Sequence, residues 1–432
     1  MKITITPVRH LTGEVVIPGD KSISHRGVML GSLSRGTTVL THFLMGEDCL
    51  GTIRAFRSMD TDIRIEKNGA DHSGTVRIHG NGLRGLKKPD GILDVGNSGT
   101  TARLLTGILA GQPFSSVMDG DASLRKRPMT RVTNPLAQMG ADIRAEENGT
   151  LPLTIRGGRL KGIDYTMPVA SAQVKSAILL ASLYADSPTT IRQPARSRNH
   201  TEIMANYFGG NIREDGTVLT SWPAQELYGR ELRIPGDISS AAFFLTAGLL
   251  VPKSRIVMKG VGLNPTRTGI VDVYRRMGAR ITIENMDSSN GEPTGDLIAE
   301  HSDLHSAEIG GSIIPRLIDE IPVIALAATQ ARGTTVIRDA EELKVKESNR
   351  IDMVVRTLRA FGAEIEGTGD GMMIHGPTPL TGSVLTCGMD HRIAMTSAIA
   401  GLIADGETVI TDGEWVDISF PGFFEAIQKL RS

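Results

Sequence analysis

The chain repeats one α/β unit six times, and that repetition limits its fold more than any composition figure does. In each copy an apolar, helix-like run ends in small residues and turns into a Thr- and Val-rich strand. The copies are "LGSLSRGTTVLTHF", "LTGILAGQPFSSVMDG", "LASLYADSPTTIRQ", "LTAGLLVPKSRIVMKG", "LAATQARGTTVIRD" and "AIAGLIADGETVITDG". Their strand residues are Val39, Val117, Ile191, Ile256, Val336 and Val409, a period of roughly 65–80 residues.

A second element alternates with the first. A large apolar residue and Gly end a helix, and a short alternating strand follows. It recurs as "SMDTDIRIE", "MGADIRAE", "FGGNIRE", "MGARITIE" and "FGAEIEG". Before the fourth copy, Asn264 as N-cap and Pro265 at the first helical position predict a helix start. Ile270, Val273, Tyr274 and Met277 then give one apolar face, and Gly278 suits the stop. Ile351, Val354, Val355 and Leu358 do the same before Gly362. The last copy is cut short at "FFEAIQKL".

A period of about 70 residues is too long for a solenoid repeat and too short for a well-buried domain. Three copies sharing one core solve that problem. "IPGD" occurs at Ile17–Asp20 and again at Ile234–Asp237, so the halves meet near the second copy. The N-terminal strand is expected to join the C-terminal half. The expected lobes are residues 1–19 with 236–432, and residues 20–235, with the site in the cleft between them because pockets favour domain interfaces.

Of the 432 residues, 40% are hydrophobic and 22% charged, and the net charge is −1. That balance argues against a nucleic-acid or membrane-surface partner while leaving a locally basic cleft open. Cys49 and Cys387 provide neither a disulfide framework nor a metal cluster, which fits a reducing cytoplasm. The start "MKITITPVRH" lacks a signal-peptide core, and "AAFFLTAGLLV" is too short to span a bilayer. His25, His200 and His391 have no partner at metal-ligand spacing, so no metal is expected.

The informative departures are cations where apolar helices begin. A helix N-terminus favours anions and disfavours cations. Yet Lys21 and Arg26 flank the first such helix, Arg103 and Lys175 lie in the second and third, and Arg392 opens the sixth. Arg125, Lys126 and Arg127 precede Pro128, another expected helix start. Lys346 and Arg350 share a helical face if their turn is helical, a pairing that costs a few tenths of a kcal/mol. An anion among these cations resolves the conflict, although any single Lys or Arg could be solvated or salt-bridged. "PGDKS" departs from a phosphate loop because Asp20, not Gly, precedes Lys21. Ser171 and Gln173 could be simple caps, Ser197 a turn residue, and Asp319 and Glu320 N-caps of "PVIALAATQ". Glu347 could cap a helix or pair with Arg350. Carboxylates flanked by cations stay ionised and suit proton abstraction.

Seven motifs then fall in one order: "GDKSISHR", "GNSGTTARLL", "RKRP", "SAQVKSAILL", "LIDEIP", "KVKESNR" and "DHRIAM". Together they resemble the 5-enolpyruvylshikimate-3-phosphate synthase family of enolpyruvyl transferases. The resemblance implies an α/β (α+β) fold of two lobes, each of three βαβαββ units. It implies transfer of enolpyruvyl from phosphoenolpyruvate to the 5-hydroxyl of shikimate 3-phosphate, in chorismate and aromatic amino acid biosynthesis. By motif, Lys21, Ser22, Arg26, Ser171, Gln173, Ser197, Asp319 and Lys346 would bind shikimate 3-phosphate. Lys21, Gly99, Arg127, Gln173, Arg350 and Arg392 would bind phosphoenolpyruvate. Asp319, Glu347 and Lys21 would carry the proton transfers. No cofactor is needed, and a cytoplasmic monomer is expected. Glyphosate would compete at the phosphoenolpyruvate site, where Gly99 leaves room.

Ile418 stands where some relatives have a lysine, Glu342 where some have asparagine, and Lys175 would add positive charge. The rival sister family acts on UDP-N-acetylglucosamine, with a Lys-Asn pair and a reactive cysteine. Here Ser22 follows Lys21, and Ala122 stands where that thiol would be. A second rival is a non-catalytic or RNA-end-binding protein on the same repeats. Only 4% of residues are aromatic, which leaves little surface for base stacking.

Overall fold

Each repeat pairs one helix that is apolar all round with one that has a single apolar face. The first kind must be enclosed and the second can line a surface. In the computed structural model, which describes residues 1–69, 72–288 and 291–431, every repeat has one enclosed helix and one outer helix, although the first enclosed helix carries Lys21, His25 and Arg26. Enclosed helices are Lys21–Ser32, Gly99–Ala110, Ala172–Ser182, Ile238–Leu250, Ile321–Thr329 and His391–Gly401. Outer helices are Glu47–Arg57, Thr130–Gln138, His200–Tyr207, Gly269–Arg276, Arg350–Ala360 and Phe423–Leu430. Every residue of Ile238–Leu250 is buried.

Six small sheets complete the repeats. In the second repeat, Leu93–Asp94 pairs parallel with Ser115–Asp119, which pairs antiparallel with Leu153–Arg156, and Asp142–Arg144 forms the far edge. The third and fifth repeats share that order. Three repeats borrow a strand from elsewhere in the sequence. Leu227–Tyr228 and Glu231–Arg233 lie parallel to Ser34–Leu44 and supply the missing first strand of the first repeat. Thr12–Val15 does the same beside Arg255–Gly262 in the fourth. Ile3–Ile5 pairs antiparallel with Thr408–Ile410 in the sixth, the repeat the C-terminus cuts short.

The structure therefore has the expected six repeats. Val39, Val117, Ile191, Ile256, Val336 and Val409 all lie in the second strand of their sheets. The recurrent Gly before the third strand is equally physical. Gly140, Gly209, Gly278 and Gly362 all adopt positive φ just past an outer helix, the left-handed turn that Gly allows without strain. In the first repeat Asp60 takes that conformation, with φ 67°.

Two compact units emerge. One comprises Met1–Pro18 with Pro235–Ser432, and the other Gly19–Ile234. We call them the outer-sequence and inner-sequence units. Each has its own continuous apolar core. Gly107 shows how tightly the inner-sequence helices pack. A Cβ there would lie 2.2 Å from the carbonyl oxygen of Ala177, so only Gly lets Gly99–Ala110 approach Ala172–Ser182 so closely. No helix among the described residues is long and apolar enough to cross a membrane.

Two local expectations change. The fourth-repeat outer helix starts at Gly269, not Pro265. Asn264 Oδ1 accepts from the backbone N–H and hydroxyl of Thr266, and its carbonyl accepts from Arg267 and Thr268. This local turn outcompetes the helix, as Asn side chains commonly do. At "RKRP", Leu124–Lys126 is a 3-10 turn, and the helix begins only at Thr130, two residues past Pro128.

Candidate active site

In the inner-sequence unit the enclosed helices begin with capped first turns. Asp20 Oδ1 accepts from Ile23 N at 2.9 Å, Ser98 Oγ from Thr101 N at 3.1 Å, and Ser171 Oγ from Val174 N at 3.5 Å. A carboxylate thus sits where a phosphate loop would receive its anion, which disposes of that reading of "PGDKS". Ser171 is indeed a cap. Anion-binding capacity here must come from side chains.

Lys21 is partly exposed and forms an ion pair with Asp48. Arg26, buried, donates from Nε to Thr201 Oγ1 at 2.7 Å, from Nη1 to the Ser22 carbonyl at 2.9 Å and from Nη2 to Ser176 Oγ at 2.8 Å. Gln173 bridges two helix starts: its Oε1 accepts from Arg103 Nη1 and its Nε2 donates to Thr100 Oγ1 at 3.1 Å. Arg127 donates to Asn97 Oδ1 at 2.8 Å. A Cβ at Gly99 would lie 3.0 Å from Arg103 Nη1 and 3.5 Å from Arg127 Nη1. The side chains of Arg103, Arg127 and Gln173 therefore converge above the Gly99 helix start. Ser197 sits in a turn, its N–H and hydroxyl both donating to Gln193 Oε1.

His25 is buried beneath this cluster, its Nδ1 2.7 Å from Thr52 Oγ1. Burial, helped by Lys21 and Arg26 against Asp48, pulls its pKa down to about 3. The ring is neutral at physiological pH and serves as a hydrogen-bonding strut. Thr52 continues through Thr101 to Ser98, each step 2.7 Å, and so ties three helices together.

In the outer-sequence unit the cations meet carboxylates. Arg350 is 1% exposed. It lies 2.8 Å from Asp390 Oδ2 and 3.4 Å from Asp319 Oδ1, and it also pairs with Glu347. Lys346 Nζ is 3.5 Å from the same Asp319 oxygen. Burial alone would raise the Asp390 pKa, but Arg350 overrides it and holds the carboxyl below its ordinary range. Burial likewise opposes the charge on Arg350, and the three carboxylates outweigh it. Asp390 Oδ1 also accepts from Arg392 N at 3.0 Å and so caps that helix.

Lys346 and Arg350 do not share a helical face. Lys346 is extended, with ψ −155°, after the 3-10 turn Glu341–Val345, and the helix opens only at Arg350. They converge on Asp319 instead. Glu320 stands at the N-cap position of Ile321–Thr329, yet its side chain makes no capping bond and accepts from Ser239 Oγ. Glu347 is a partner for Arg350, and Asn349 is the cap.

The second "IPGD" is also served by a cation, which its own segment does not supply. Arg267, 2% exposed, donates to Asp237 Oδ1 at 3.0 Å and to Ser239 Oγ at 2.7 Å. Sequence reasoning passed over Arg267, Asp390 and Asp48. Asp390 carried a signal, an acid just before a helix that begins with Arg392. Lys175 is not a surface charge: it is wholly buried beside Glu202. Among the described residues no group of three His, Cys, Asp or Glu is placed to hold a metal ion.

The comparisons with known proteins agree along the whole chain. The sequence profile of EPSP synthase (3-phosphoshikimate 1-carboxyvinyltransferase) matches residues 5–427. A 3-phosphoshikimate 1-carboxyvinyltransferase from Bacillus thuringiensis subsp. konkukian (strain 97-27) is 55% identical over 429 residues, 99% of each chain. One from Desulforudis audaxviator (strain MP104C) is 54% identical over 432 residues, the full length of both. The 2.37 Å structure of an EPSP synthase from Acinetobacter baumannii superposes with a TM-score of 0.89 at 43% identity, covering 99% of this chain and 98% of that one. With its six repeats and ordered motifs matched from end to end, the chain belongs to the EPSP synthase family.

Proposed function

We propose that the protein transfers the enolpyruvyl group of phosphoenolpyruvate to the 5-hydroxyl of shikimate 3-phosphate and releases inorganic phosphate. The observation that carries this reading is the Asp319 carboxylate at the start of a buried helix, flanked by Lys346 and Arg350 at 3.5 and 3.4 Å. A carboxylate so placed is a proton acceptor beside charges that favour an anionic substrate.

The residues divide the work as follows. Lys21, Ser22, Arg26, Ser171, Gln173, Ser197 and Lys346 hold shikimate 3-phosphate. Lys21, Arg127, Gln173, Arg350 and Arg392 hold the phosphate and carboxylate of phosphoenolpyruvate, with Gly99 shaping the pocket. Asp319 takes the proton from the 5-hydroxyl, and the oxygen forms a bond to C2 of phosphoenolpyruvate. The methylene carbon gains a proton, with Glu347 and Lys21 as its managers, giving a tetrahedral intermediate that still bears phosphate. Loss of a proton from that methyl carbon and cleavage of the bond between C2 and the phosphate oxygen then yield the enol ether and inorganic phosphate. The enolpyruvyl group and the phosphate released both come from phosphoenolpyruvate. The protein contributes orientation and fixed charge. It acts in the cytoplasm as a monomer.

The test is phosphate release from phosphoenolpyruvate with two acceptors offered separately. Release with shikimate 3-phosphate, and only background with UDP-N-acetylglucosamine, is expected. Release with the nucleotide sugar alone would assign the chain to the sister reaction.

A further inference from the structure

Beneath the motif residues of the inner-sequence unit lies a buried ion pair that none of the steps above uses. Lys175 is 0% exposed and Glu202 4%. Lys175 Nζ lies 2.7 Å from Glu202 Oε1 and donates to the Ser197 carbonyl at 3.1 Å. Lys175 belongs to Ala172–Ser182, the helix whose first turn holds Gln173 and whose cap is Ser171. Glu202 lies in the first turn of His200–Tyr207, just after the Ser197 turn.

The next residues form a second rung. Ser176 Oγ and Thr201 Oγ1 are 2.7 Å apart, and both receive Arg26. The two helices are thus joined by one neutral rung and one charged rung, side by side. The charged rung is costly. Desolvating two ions takes several kcal/mol each, and apolar replacements of similar volume are often neutral or stabilising. Glu202 Oε2 meets no hydrogen-bond donor, so the pair is not even fully satisfied. Stability therefore does not account for it. What the pair does that a Met–Leu contact could not is hold the Ser197 carbonyl, since only a donor can grip it.

We propose that Lys175 is a positioning residue for acceptor binding: with Glu202 as its counter-ion, it fixes the turn that presents Ser197 to the phosphate of shikimate 3-phosphate. Wholly buried, it touches neither substrate. This inference rests on the function proposed above.

The experiment uses the full chain carrying Lys175→Met with Glu202→Leu, so that no lone charge is left inside. Steady-state constants for both substrates and the thermal midpoint are measured for this variant, for Ser197→Ala and for all three changes together. The KM for shikimate 3-phosphate should rise roughly tenfold, with kcat and the KM for phosphoenolpyruvate within about twofold. The midpoint should not fall. Adding Ser197→Ala to the double variant should cost less than it costs the wild type, because both act through one contact. An unchanged KM for shikimate 3-phosphate would overturn the proposal. So would a variant that fails to fold or loses all constants together, which would make the pair purely structural. A wild type that releases no phosphate with shikimate 3-phosphate would instead refute the function itself.

Discussion

Arg26 and Arg350 are both buried guanidinium groups of the motif set, but the oxygens that fix them differ. Arg26 donates to two hydroxyls and a backbone carbonyl. Arg350 is fixed by the carboxylates of Asp390, Glu347 and Asp319. The two units share a repeat architecture, so the contrast comes from side chains alone. Hydroxyl and carbonyl acceptors orient a guanidinium without themselves neutralising it. Carboxylate partners offset part of its charge, and the cation in turn keeps the carboxylates ionised and in place. The contrast belongs to these two arginines and not to whole units, since Lys21 of the inner-sequence unit also pairs with a carboxylate, Asp48.

The largest expected effect contrasts the two arginines directly. Arg350→Met leaves Asp390 buried without its counter-ion and should destabilise the fold by about 3–5 kcal/mol. Arg26→Met leaves Ser176 and Thr201 still bonded to each other and should cost about 1–2 kcal/mol. Denaturant unfolding of the two variants measures both. Equal losses would end the distinction.

A smaller effect is expected at Gly99. A methyl group there meets Arg103 Nη1 at 3.0 Å, inside ordinary contact distance, so the guanidinium groups must move. Gly99→Ala should raise the KM for phosphoenolpyruvate by roughly tenfold, with shikimate 3-phosphate little affected. The wild type should be inhibited by glyphosate and Gly99→Ala much less so. Wild-type activity unchanged in millimolar glyphosate would contradict this placement of the phosphoenolpyruvate pocket.

A last contrast separates the units by pH. The folded pKa of His25 is about 3 against an ordinary 6.5, so between these values the unfolded chain binds the extra proton. Stability should therefore fall as pH drops from 6.5 towards 3, by at most about 1.4 kcal/mol per unit. Asp390 is also shifted down, below its ordinary 3.8, but by its pairing with Arg350 against the effect of burial, and it loses its contribution only as pH falls through its folded value. Thermal midpoints of the wild type and His25→Gln should converge with decreasing pH between 6 and 4. A constant gap across that range would exclude His25 as the source.

Much of the fold was legible because each repeat is coded locally. A β-branched strand follows a helix ending in small residues, and a left-handed Gly follows each outer helix from the second repeat to the fifth. The N-terminal strands join the C-terminal half as expected, whereas the strands at 227–233 could not be assigned to a sheet from local pattern, because their partner Ser34–Leu44 lies far away in sequence. The site was legible as a set of residue types. Its wiring was not. Asn264 was taken for a helix cap because its turn satisfies the same backbone groups by another route. Lys346 and Arg350 meet through Asp319, not through helical spacing. Lys175 reads as added positive charge because Glu202, which pairs with it, is 27 residues away and belongs to another helix.

The central claim is that Asp319 removes a proton while other groups hold the acceptor. Calorimetric titration of shikimate 3-phosphate into Asp319→Asn, set beside its phosphate-release rate, tests it most directly. Acceptor affinity should stay within a few-fold of wild type while turnover falls by about 10²–10⁴-fold. Turnover near the wild-type rate, or acceptor binding lost in step with turnover, would contradict it.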